Sequence, residues 1–422
     1  MTSRERPEAL KWTAFPAEIR HMILEIIVNQ KHPGWASLAS VCREWQYVLE
    51  KANFRKVKLG VPCLNDFERI ATPQKREIIQ HICFDIELPR YKPKCCSRRR
   101  SPPEIVDYFV TRGIHALFSI LHTWAPGNAL ALELNVYSPS DCEHWFKNIH
   151  LSSDDTEQDE DALPDAGSRF HDPKHGWVHG QQIKPPPSTA MEQLFQPIKL
   201  CYKLAPRYPR VKAVTSFIIR RQLRRCLTPV SVGRLLRAFS RLEQITYEPW
   251  VAYGGDVARY IDEQLHAEEL SQHCQAAWRW KHLESLALTS QLLQNDWDTH
   301  NELETLLCRA GVLARKMPKL HTLVLWNGGK GHACAFIYRV DRGSASITWR
   351  GTWHFNLSPR VVKSWQLAAS RLPRSHCSEL DVKHDDIPGV RTSHGDAIYR
   401  LKLPCQVIDP ASLWQIRREA NT

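Results

Sequence analysis

The sequence predicts a mixed α/β protein, in which a small helical module at the N-terminus precedes an irregular body of strands and helices. Apolar residues recur at helical spacing between residues 12 and 54, whereas strict alternation of apolar and other residues recurs from residue 55 onward. Of the 422 residues, 43% are hydrophobic and 24% are charged, so the chain can bury a sizeable core. A wholly disordered chain is therefore excluded.

The N-terminal module has the pattern of three short helices. Pro16 suits a first helical turn, and Pro33-Gly34 interrupts the helical pattern. The first apolar stripe consists of Ile19, Met22, Ile23, Ile26 and Ile27. The third consists of Val41, Trp45, Val48, Leu49 and Ala52. Because so small a unit buries little surface by itself, its apolar excess needs cover from the rest of the chain or from a partner.

We divide the chain into five segments: the helical module at 12–54, the first part of the body at 55–151, an insertion at 152–188, the second part of the body at 189–410 and a tail at 411–422. Six acidic residues lie between Asp154 and Asp161, and a Pro run at 185–187 follows. This composition predicts a disordered or loosely packed insertion.

The first part of the body alternates like strands that bury one face. The alternating apolar residues are Ile82, Phe84, Ile86 and Leu88, then Leu130, Leu132, Leu134 and Val136. A helix is predicted between them, with Ile114, Leu117, Phe118 and Leu121 on its buried face. The spacing of Ser140 and Glu143 predicts a further capped helix, with Trp145 and Phe146 on one side.

The second part of the body carries a weak internal repeat of two apolar residues three positions apart. The pairs are Val211/Val214, Leu242/Ile245, Leu283/Leu286 and Leu320/Leu323, with Cys377/Leu380, followed by Val382, as a degenerate fifth copy. Between them, Val232, Leu235 and Leu236 predict a helix capped by Thr228. A β-hairpin is predicted late in the series, with strands at 335–340 and 346–350.

These repeats resemble a degenerate leucine-rich repeat, although spacings of 31, 41 and 37 residues exceed the usual ~20–29 and the turn asparagine is missing. An ordinary α/β domain with similar strands remains an open alternative. A curved array of this kind would line a concave face with parallel strands. Its outward-facing candidates for substrate contact are Thr246, Glu248, Thr289 and Trp326.

The N-terminal module resembles the F-box. The residues that carry the resemblance are Phe15-Pro16-Ala17-Glu18-Ile19, then Ile23-Leu24, then Leu38-Ala39-Ser40-Val41-Cys42-Arg43-Glu44-Trp45. Phe15 stands where leucine is commoner. Further stretches at 53–59, 66–70, 86–91 and 137–146 are similar to a group of F-box proteins from filamentous fungi.

The resemblance implies a function in protein recruitment rather than catalysis. An F-box docks on the Skp-type adaptor of a cullin-based ubiquitin ligase, and the remainder of the chain recruits a protein substrate for ubiquitination. The adaptor-binding residues implied here are Phe15, Pro16, Ile19, Ile23, Val41, Cys42 and Trp45. Most of these residues could instead belong to the module's own core, and for Ile23 and Trp45 the two interpretations are equally favoured. For Phe15 and Pro16, at the edge of the module, the adaptor interface is favoured. Two alternatives stay open, namely an F-box scaffold that acts outside a ligase and a basic nucleic-acid-binding protein.

The sequence shows no catalytic motif, and we expect neither a cofactor nor a metal. The histidines His171, His175 and His179 lie four apart, but Pro173 and Gly176 interrupt any helix that would align them. Thirteen cysteines without a CxxC pair predict free thiols, and so a cytoplasmic or nuclear protein. No secretory leader and no membrane span are expected.

A net charge of +12 admits an acidic partner. The basic clusters are Lys92, Lys94, Arg98, Arg99 and Arg100, and then Arg220, Arg221, Arg224 and Arg225. No nucleic-acid fold signature accompanies either cluster, so we expect solvated faces or pairing with the acidic run.

Overall fold

The computed structural model describes residues 12–30, 32, 34–97, 103–127, 129–147, 171–220, 222–248, 280–290, 292–295, 300–329, 331–341, 344–370, 380–387, 394–405 and 408. The acidic run at 154–161, the basic residues at 98–100, Arg221 and the tail at 411–422 lie outside these residues. Among the described helices, none combines the length and the apolar character needed to cross a membrane.

Helices occur along the whole described chain. They are α1 (Ala17–Gln30), α2 (Arg43–Arg55), α3 (Leu64–Ile70), α4 (Pro73–Ile78), α5 (Pro93–Ser97), α6 (Pro103–His122), α7 (Ser188–Phe195), α8 (Pro229–Ala238), α9 (His300–Ala314), α10 (Pro359–Ala369) and α11 (His394–Leu401). Short 3-10 helices occupy Trp12–Ala14, Trp35–Ser40, Val61–Cys63, Pro139–Cys142 and Pro173–His175. Helix α8 begins as predicted, because the Thr228 hydroxyl accepts a hydrogen bond from the Ser231 N–H.

The strands form one large sheet and one small hairpin. They are β1 (Lys56–Gly60), β2 (His81–Glu87), β3 (Leu130–Tyr137), β4 (Trp177–Val178), β5 (Gln181–Gln182), β6 (Val214–Ile219), β7 (Gln244–Tyr247), β8 (Ser285–Thr289), β9 (Thr322–Gly329), β10 (His332–Asp341), β11 (Ser344–Gly351) and β12 (Asp381–Asp386). The large sheet has the order β1-β2-β3-β6-β7-β8-β9-β10-β11-β12, while β4 pairs with β5.

The large sheet is mostly parallel. Every neighbouring pair from β1 to β9 is parallel, and so is the pair of β11 and β12. The two antiparallel pairs are β9 with β10 and β10 with β11. The predicted late hairpin is therefore confirmed. It consists of β10, which lies beside β9, and β11, which lies beside β10. The chain is a mixed α/β protein built on a large, mostly parallel sheet.

One face of this sheet is apolar and carries the main helices. Side chains of α3, α6, α8, α9 and α10 pack with the inward-facing strand residues in one continuous core. Phe84 on β2, Phe217 on β6 and Trp349 on β11 show that this core extends across nearly the whole sheet. Alternation along each strand sends these residues to one face and their neighbours to the other.

The opposite face is divided between an apolar and a polar region. At the β9 and β10 end, helix α11 packs Ala397 and Leu401 against Val324, Trp326 and Ala335. At the β2 and β3 end, the same face presents charged and polar side chains, which are described with the candidate site below. In this polar region Lys58 is exposed and His81 is partly exposed, whereas Cys83 and Glu133 are buried.

The strand register follows the alignment of the repeat at three of its copies. Ile245 lies opposite Leu286, and Leu286 lies opposite Leu323. In β6 the residue opposite Ile245 is Phe217 and not Val214 of the first copy. Val382 of the degenerate fifth copy lies in β12, which pairs with β11 rather than with β9 because the hairpin intervenes.

Two local predictions differ from the structure. The helix predicted from Ser140 and Glu143 is replaced by the 3-10 turn Pro139–Cys142, whose capping box uses Ser138 and Asp141 instead. Residues 171–188, predicted as part of a disordered insertion, contain a 3-10 turn, the β4–β5 hairpin and the start of α7. Trp177 is buried there and its indole donates to the Trp145 carbonyl, so aromatic packing orders a segment that its composition marks as polar.

A buried ion pair ties together the loops that follow three parallel strands. The Arg225 guanidinium, after β6, donates hydrogen bonds of 2.5 and 2.8 Å to the Asp141 carboxylate, after β3. The Tyr91 hydroxyl, after β2, donates to the same carboxylate at 3.1 Å. Both ionic side chains are almost fully buried, so neither can recover a water shell if the other is removed.

We predict that Asp141→Ala lowers the free energy of unfolding by about 3 kcal/mol or more, because it leaves Arg225 charged and buried. Glu143→Ala is the matched control. It removes an exposed pair with Arg90 at 3.0 Å and is expected to cost at most about 1 kcal/mol. Thermal and denaturant unfolding of both variants measures the difference. Equal losses in the two variants would contradict the assignment of Arg225–Asp141 as a structural tie.

Candidate functional site

The N-terminal helices are held together by an ion pair and a hydrogen bond among Trp12, Arg20 and Glu44, rather than by a large core. We call these three residues the polar clasp. Arg20 on α1 pairs with Glu44 on α2 at 3.0 Å, and the Trp12 indole donates to the same carboxylate at 3.0 Å. Arg20 also donates to the Phe15 carbonyl at 2.7 Å. The Trp12 hydrogen bond and the Arg20 guanidinium hold the pKa of Glu44 below its ordinary value. In this module only Leu24 and Leu49, among the described residues, are fully buried.

Helix α1 turns an apolar face to the solvent. Ile19, Met22 and Ile26 follow i, i+3 and i+7 spacing, and they are 41%, 56% and 52% exposed. We call these three residues the exposed face of α1. Near the start of α2, Val41 and Tyr47 are exposed as well. Exposed apolar side chains on so small a module are typical of surfaces that bind another protein.

The predicted adaptor-binding residues divide between exposed and partly buried positions. Pro16, Ile19, Val41 and Cys42 are exposed, whereas Phe15, Ile23 and Trp45 are partly buried. The Trp12 ring packs edge-on against both Trp45 and Phe15, with centroids 5.2 and 6.4 Å apart. The aromatic residues thus form the module's own packing, and the exposed residues lie beside them.

The sequence pattern identifies the apolar stripe on α1 but not the side that faces the core. Leu24 is the buried residue of the helix, and Ile27 is half-buried on the same side. Ile19, Met22 and Ile26, which belong to the same predicted apolar stripe, face outward. An apolar stripe wider than the available core is the signal that could have marked them as surface.

A second candidate site lies on the polar region of the sheet's opposite face. His81 and Cys83 are two apart on β2, so their side chains share a face. Cys83 pairs in register with Glu133 on the neighbouring strand β3. Arg220 and Gln222 follow β6, the next strand along the sheet. We call these five residues the Glu133 cluster.

Glu133 lies at the centre of this cluster. Its Oε2 atom accepts from Arg220 at 2.5 Å and lies 2.9 Å from the His81 Nε2 and 3.2 Å from the Cys83 Sγ. Its Oε1 atom accepts from the Gln222 amide at 2.9 Å. The Glu133 side chain is 1% exposed, whereas that of His81 is 22% exposed. The cluster is therefore reached from the His81 side.

The surroundings of Glu133 favour an ionised carboxylate beside a protonated thiol. Burial by itself would raise the pKa of Glu133, but the His81 hydrogen bond and the Arg220 charge outweigh it and hold the pKa below its ordinary value. Burial, together with the neighbouring Glu133 charge, raises the pKa of the Cys83 thiol well above its usual range. The thiol accordingly acts as a hydrogen-bond donor to the carboxylate.

A second polar group extends this region toward the sheet edge. The Asn135 amide donates to Asp85 at 3.1 Å, and the Lys58 ammonium lies 3.4 Å from the same carboxylate. Burial raises the pKa of Asp85 in spite of Lys58. The strand face from β1 to β3 thus presents paired charges of both signs, with Lys58 and part of His81 open to solvent.

The predicted substrate-contact residues do not lie on an open surface. Thr246, Glu248 and Trp326 are buried, so their outward-facing placement is wrong, and Thr289 is only partly exposed. Trp326 packs in the small core under α11, which covers this end of the face. The helix that follows β12 was not identified as a cover from the sequence.

The second basic cluster is also internal. Arg220, Arg224 and Arg225 are at most 3% exposed, so the expected solvated face is wrong for these three residues. Arg220 pairs with Glu133 and Arg225 pairs with Asp141. The acidic run at 154–161 lies outside the described residues. Arg220 and Arg225 thus contact buried acids inside the fold.

The three histidines spaced four apart do not converge. His175 hydrogen-bonds through Nδ1 to Asp172 at 2.7 Å, while the rings of His171 and His179 lie 5.0 Å apart. Lys147 pairs with the same Asp172 at 3.2 Å. In the described part of the chain, the group whose ligand atoms come close enough to hold a metal ion is His81, Cys83 and Glu133.

An apolar cavity lies on the helix-covered face, between α8, α9 and strands β7 to β9. Its volume is about 400 Å³. Its walls are mainly aliphatic and aromatic, with Leu236, Leu286 and Leu325 among them, and Arg309 and Glu302 on α9 add charged groups. The connection between β7 and β8, residues 249–279, lies outside the described residues.

Comparison with known proteins gives one family match. A family of unknown function (DUF6546) matches residues 261–409, which is 149 of the 422 residues, or about a third. The match includes β8 to β12 and α9 to α11, whereas the N-terminal module and the Glu133 cluster lie outside it. No curated protein and no solved structure matches the chain.

The polar clasp predicts a pH-dependent weakening of the N-terminal module. Because the pKa of Glu44 is depressed in the folded chain, its contribution to stability is present above the ordinary value of 4.5 and is lost as the pH falls below it. We predict that Glu44→Gln speeds hydrogen exchange of residues 12–55 at about pH 7. The ratio of exchange rates between variant and wild type should fall toward one as the pH is lowered from about 7 to well below the ordinary Glu44 pKa of 4.5.

The control for this experiment is Glu25→Gln. Glu25 is an exposed residue of α1 that lies 3.2 Å from His21 only one turn away, so its removal should leave α1–α2 exchange unchanged. Hydrogen exchange read by mass spectrometry gives both ratios. A Glu44→Gln effect that is the same at both pH values would contradict the clasp.

Proposed function

We propose that this chain is a substrate-recruiting subunit of an SCF-type cullin ubiquitin ligase. Its N-terminal module would bind a Skp-type adaptor, and through it the cullin, while the body would bind a protein substrate. The observation that carries the proposal is the exposed face of α1, in a module with only two fully buried residues among those described. An apolar surface beside a minimal core gains stability when a partner covers it.

The placement of the F-box motif residues supports the adaptor assignment. Pro16 and Ile19 at the start of α1 and Val41 before α2 are all exposed, so motif positions from two separate segments are accessible. The module is packed beside them, because the Trp12 ring contacts both Phe15 and Trp45. The motif therefore supplies both a packed aromatic group and an accessible apolar surface.

The available apolar surface is large enough to matter for binding. Full burial of an Ile or Met side chain contributes about 1.5–3 kcal/mol, so the three residues of the exposed face of α1 offer several kcal/mol before the cost of association. A micromolar complex requires about 8 kcal/mol. The α1 face alone would therefore be insufficient, and contacts from Val41 and the start of α2 would have to contribute.

The body has a geometry suited to presenting a strand surface. Its large helices lie on one face of the sheet. On the polar region of the other face Lys58 is exposed and His81 is partly exposed, while Cys83 and Glu133 are buried. Since Thr246, Glu248 and Trp326 are buried, we place substrate contact on the polar region near Lys58 and His81 instead. Such a surface would favour a substrate with charged groups, and it would act without a catalytic residue of its own.

We predict that the full chain co-purifies with a Skp-type adaptor and that Ile19→Asp combined with Met22→Asp weakens binding at least ~30-fold. A buried hot-spot residue contributes about 2 kcal/mol or more, and each aspartate would place a charge in an apolar interface. The matched control is Val312→Asp. Val312 is an exposed apolar residue on α9, 51% accessible, and outside the N-terminal module.

Affinity is measured by titration calorimetry, with circular dichroism to show that each variant is folded. Wild-type chain that fails to bind the adaptor, or a folded double variant that binds as tightly as wild type, would overturn the proposal. Adaptor binding without ubiquitination of any captured substrate would instead favour an F-box scaffold that acts outside a ligase.

A further inference from the structure

We propose that His81, Cys83 and Glu133 form a zinc-binding site on the polar region of the sheet. This inference does not rest on the proposed function, since the three residues lie on β2 and β3 and outside the N-terminal module. The ligand atoms would be His81 Nε2, Cys83 Sγ and Glu133 Oε2. All three already lie within 4.8 Å of one another.

The backbone fixes these side chains next to one another. His81 and Cys83 project from the same face of β2, and the parallel register places Glu133 directly beside Cys83. Because all three stand on β2 and β3, strands that are each paired on both sides, their separations depend on strand pairing and not on a loop. Sites built on regular elements hold ligand geometry more closely than sites built on loops.

The donor set favours zinc over the hard cations. One imidazole nitrogen, one thiolate sulfur and one carboxylate oxygen are each common zinc ligands. Magnesium and calcium select oxygen ligands and leave thiolates uncoordinated. Three protein ligands leave a fourth position of a tetrahedral zinc ion for water or another ligand. The partly exposed His81 lies on the side from which an ion can enter.

The remaining members of the Glu133 cluster would orient the carboxylate. Gln222 donates to Oε1 and Arg220 donates to Oε2. An ionised carboxylate has about four acceptor positions, so zinc can replace the His81 and Cys83 contacts on Oε2 while these two outer partners remain. Hydrogen bonds from outer partners fix ligand orientation at many metal sites.

Binding involves one proton transfer and no redox change. The Cys83 S–H bond breaks, its proton passes to solvent, and the sulfur electron pair forms the bond to Zn²⁺. His81 binds through the lone pair of neutral Nε2, so its ring proton resides on Nδ1. The cluster gains one unit of positive charge, and the Arg220 guanidinium on the same carboxylate opposes that gain. We therefore expect an affinity below that of a site without a neighbouring cation.

The test uses the full-length chain, stripped with chelator and then dialysed against zinc. We expect one zinc ion per chain by mass spectrometry of the metal, and a sulfur-to-metal absorption band when Co²⁺ is the probe. Cys83→Ser and His81→Ala should each weaken zinc binding by at least ~100-fold, because loss of an outer partner alone costs about 10- to 100-fold.

Two variants match these substitutions outside the cluster. Cys63→Ser removes an exposed cysteine and His321→Ala removes a half-exposed histidine, and both should retain zinc. If Cys83→Ser does not fold, X-ray absorption at the zinc edge of the wild type decides, with one sulfur at about 2.3 Å expected. A wild-type chain without stoichiometric zinc, full retention in folded Cys83→Ser, or a zinc shell without sulfur would overturn the site.

Discussion

Parallel pairing of six successive strands, β2 to β3 and β6 to β9, is the constraint on which the rest of the structure depends. It sends alternate side chains of every strand to opposite faces, so one register decides both the apolar core and the polar face. Phe84 and Leu286 enter the core under the helices, while Cys83 and Glu133 are directed to the other side. A slip of one residue in β2 or β3 would exchange the two sets and place charges in the core.

The same constraint brings buried charges together across the sheet and at its strand ends. Arg220 reaches Glu133 across the polar face, and Arg225 reaches Asp141 beyond the carboxyl ends of β3 and β6.

The N-terminal module joins this scaffold where α2 runs directly into β1 and contacts α4. Its apolar residues stay at the surface because the sheet already has its helical cover on the other elements. The scaffold therefore leaves an apolar surface on α1 and a largely buried charged region, of which Lys58 and part of His81 are accessible.

Sequence reasoning predicted the elements better than their surroundings. Alternation at Ile82, Phe84 and Ile86 and the repeated apolar pairs that include Ile245, Leu286 and Leu323 predicted strands, and the structure has strands at these residues. The Glu133 cluster was missed because its members come from three separate strand regions, although His81 and Cys83 are the non-core half of the alternation that was used. Burial of Trp326 depends on α11, more than sixty residues later, and no local pattern contains that distance.

We propose that another polypeptide covers the N-terminal helices. Hydrogen exchange of the full chain, with and without a purified Skp-type adaptor, is the most direct test of this cover. If the adaptor covers these helices, amides of α1 and of the segment from Val41 into α2 become protected when the adaptor is added. Amides of β2, β3 and α9 exchange as before. Unchanged exchange in α1 at saturating adaptor would contradict it. Protection confined to the body would contradict it as well, because the partner would then bind a surface other than the exposed face of α1.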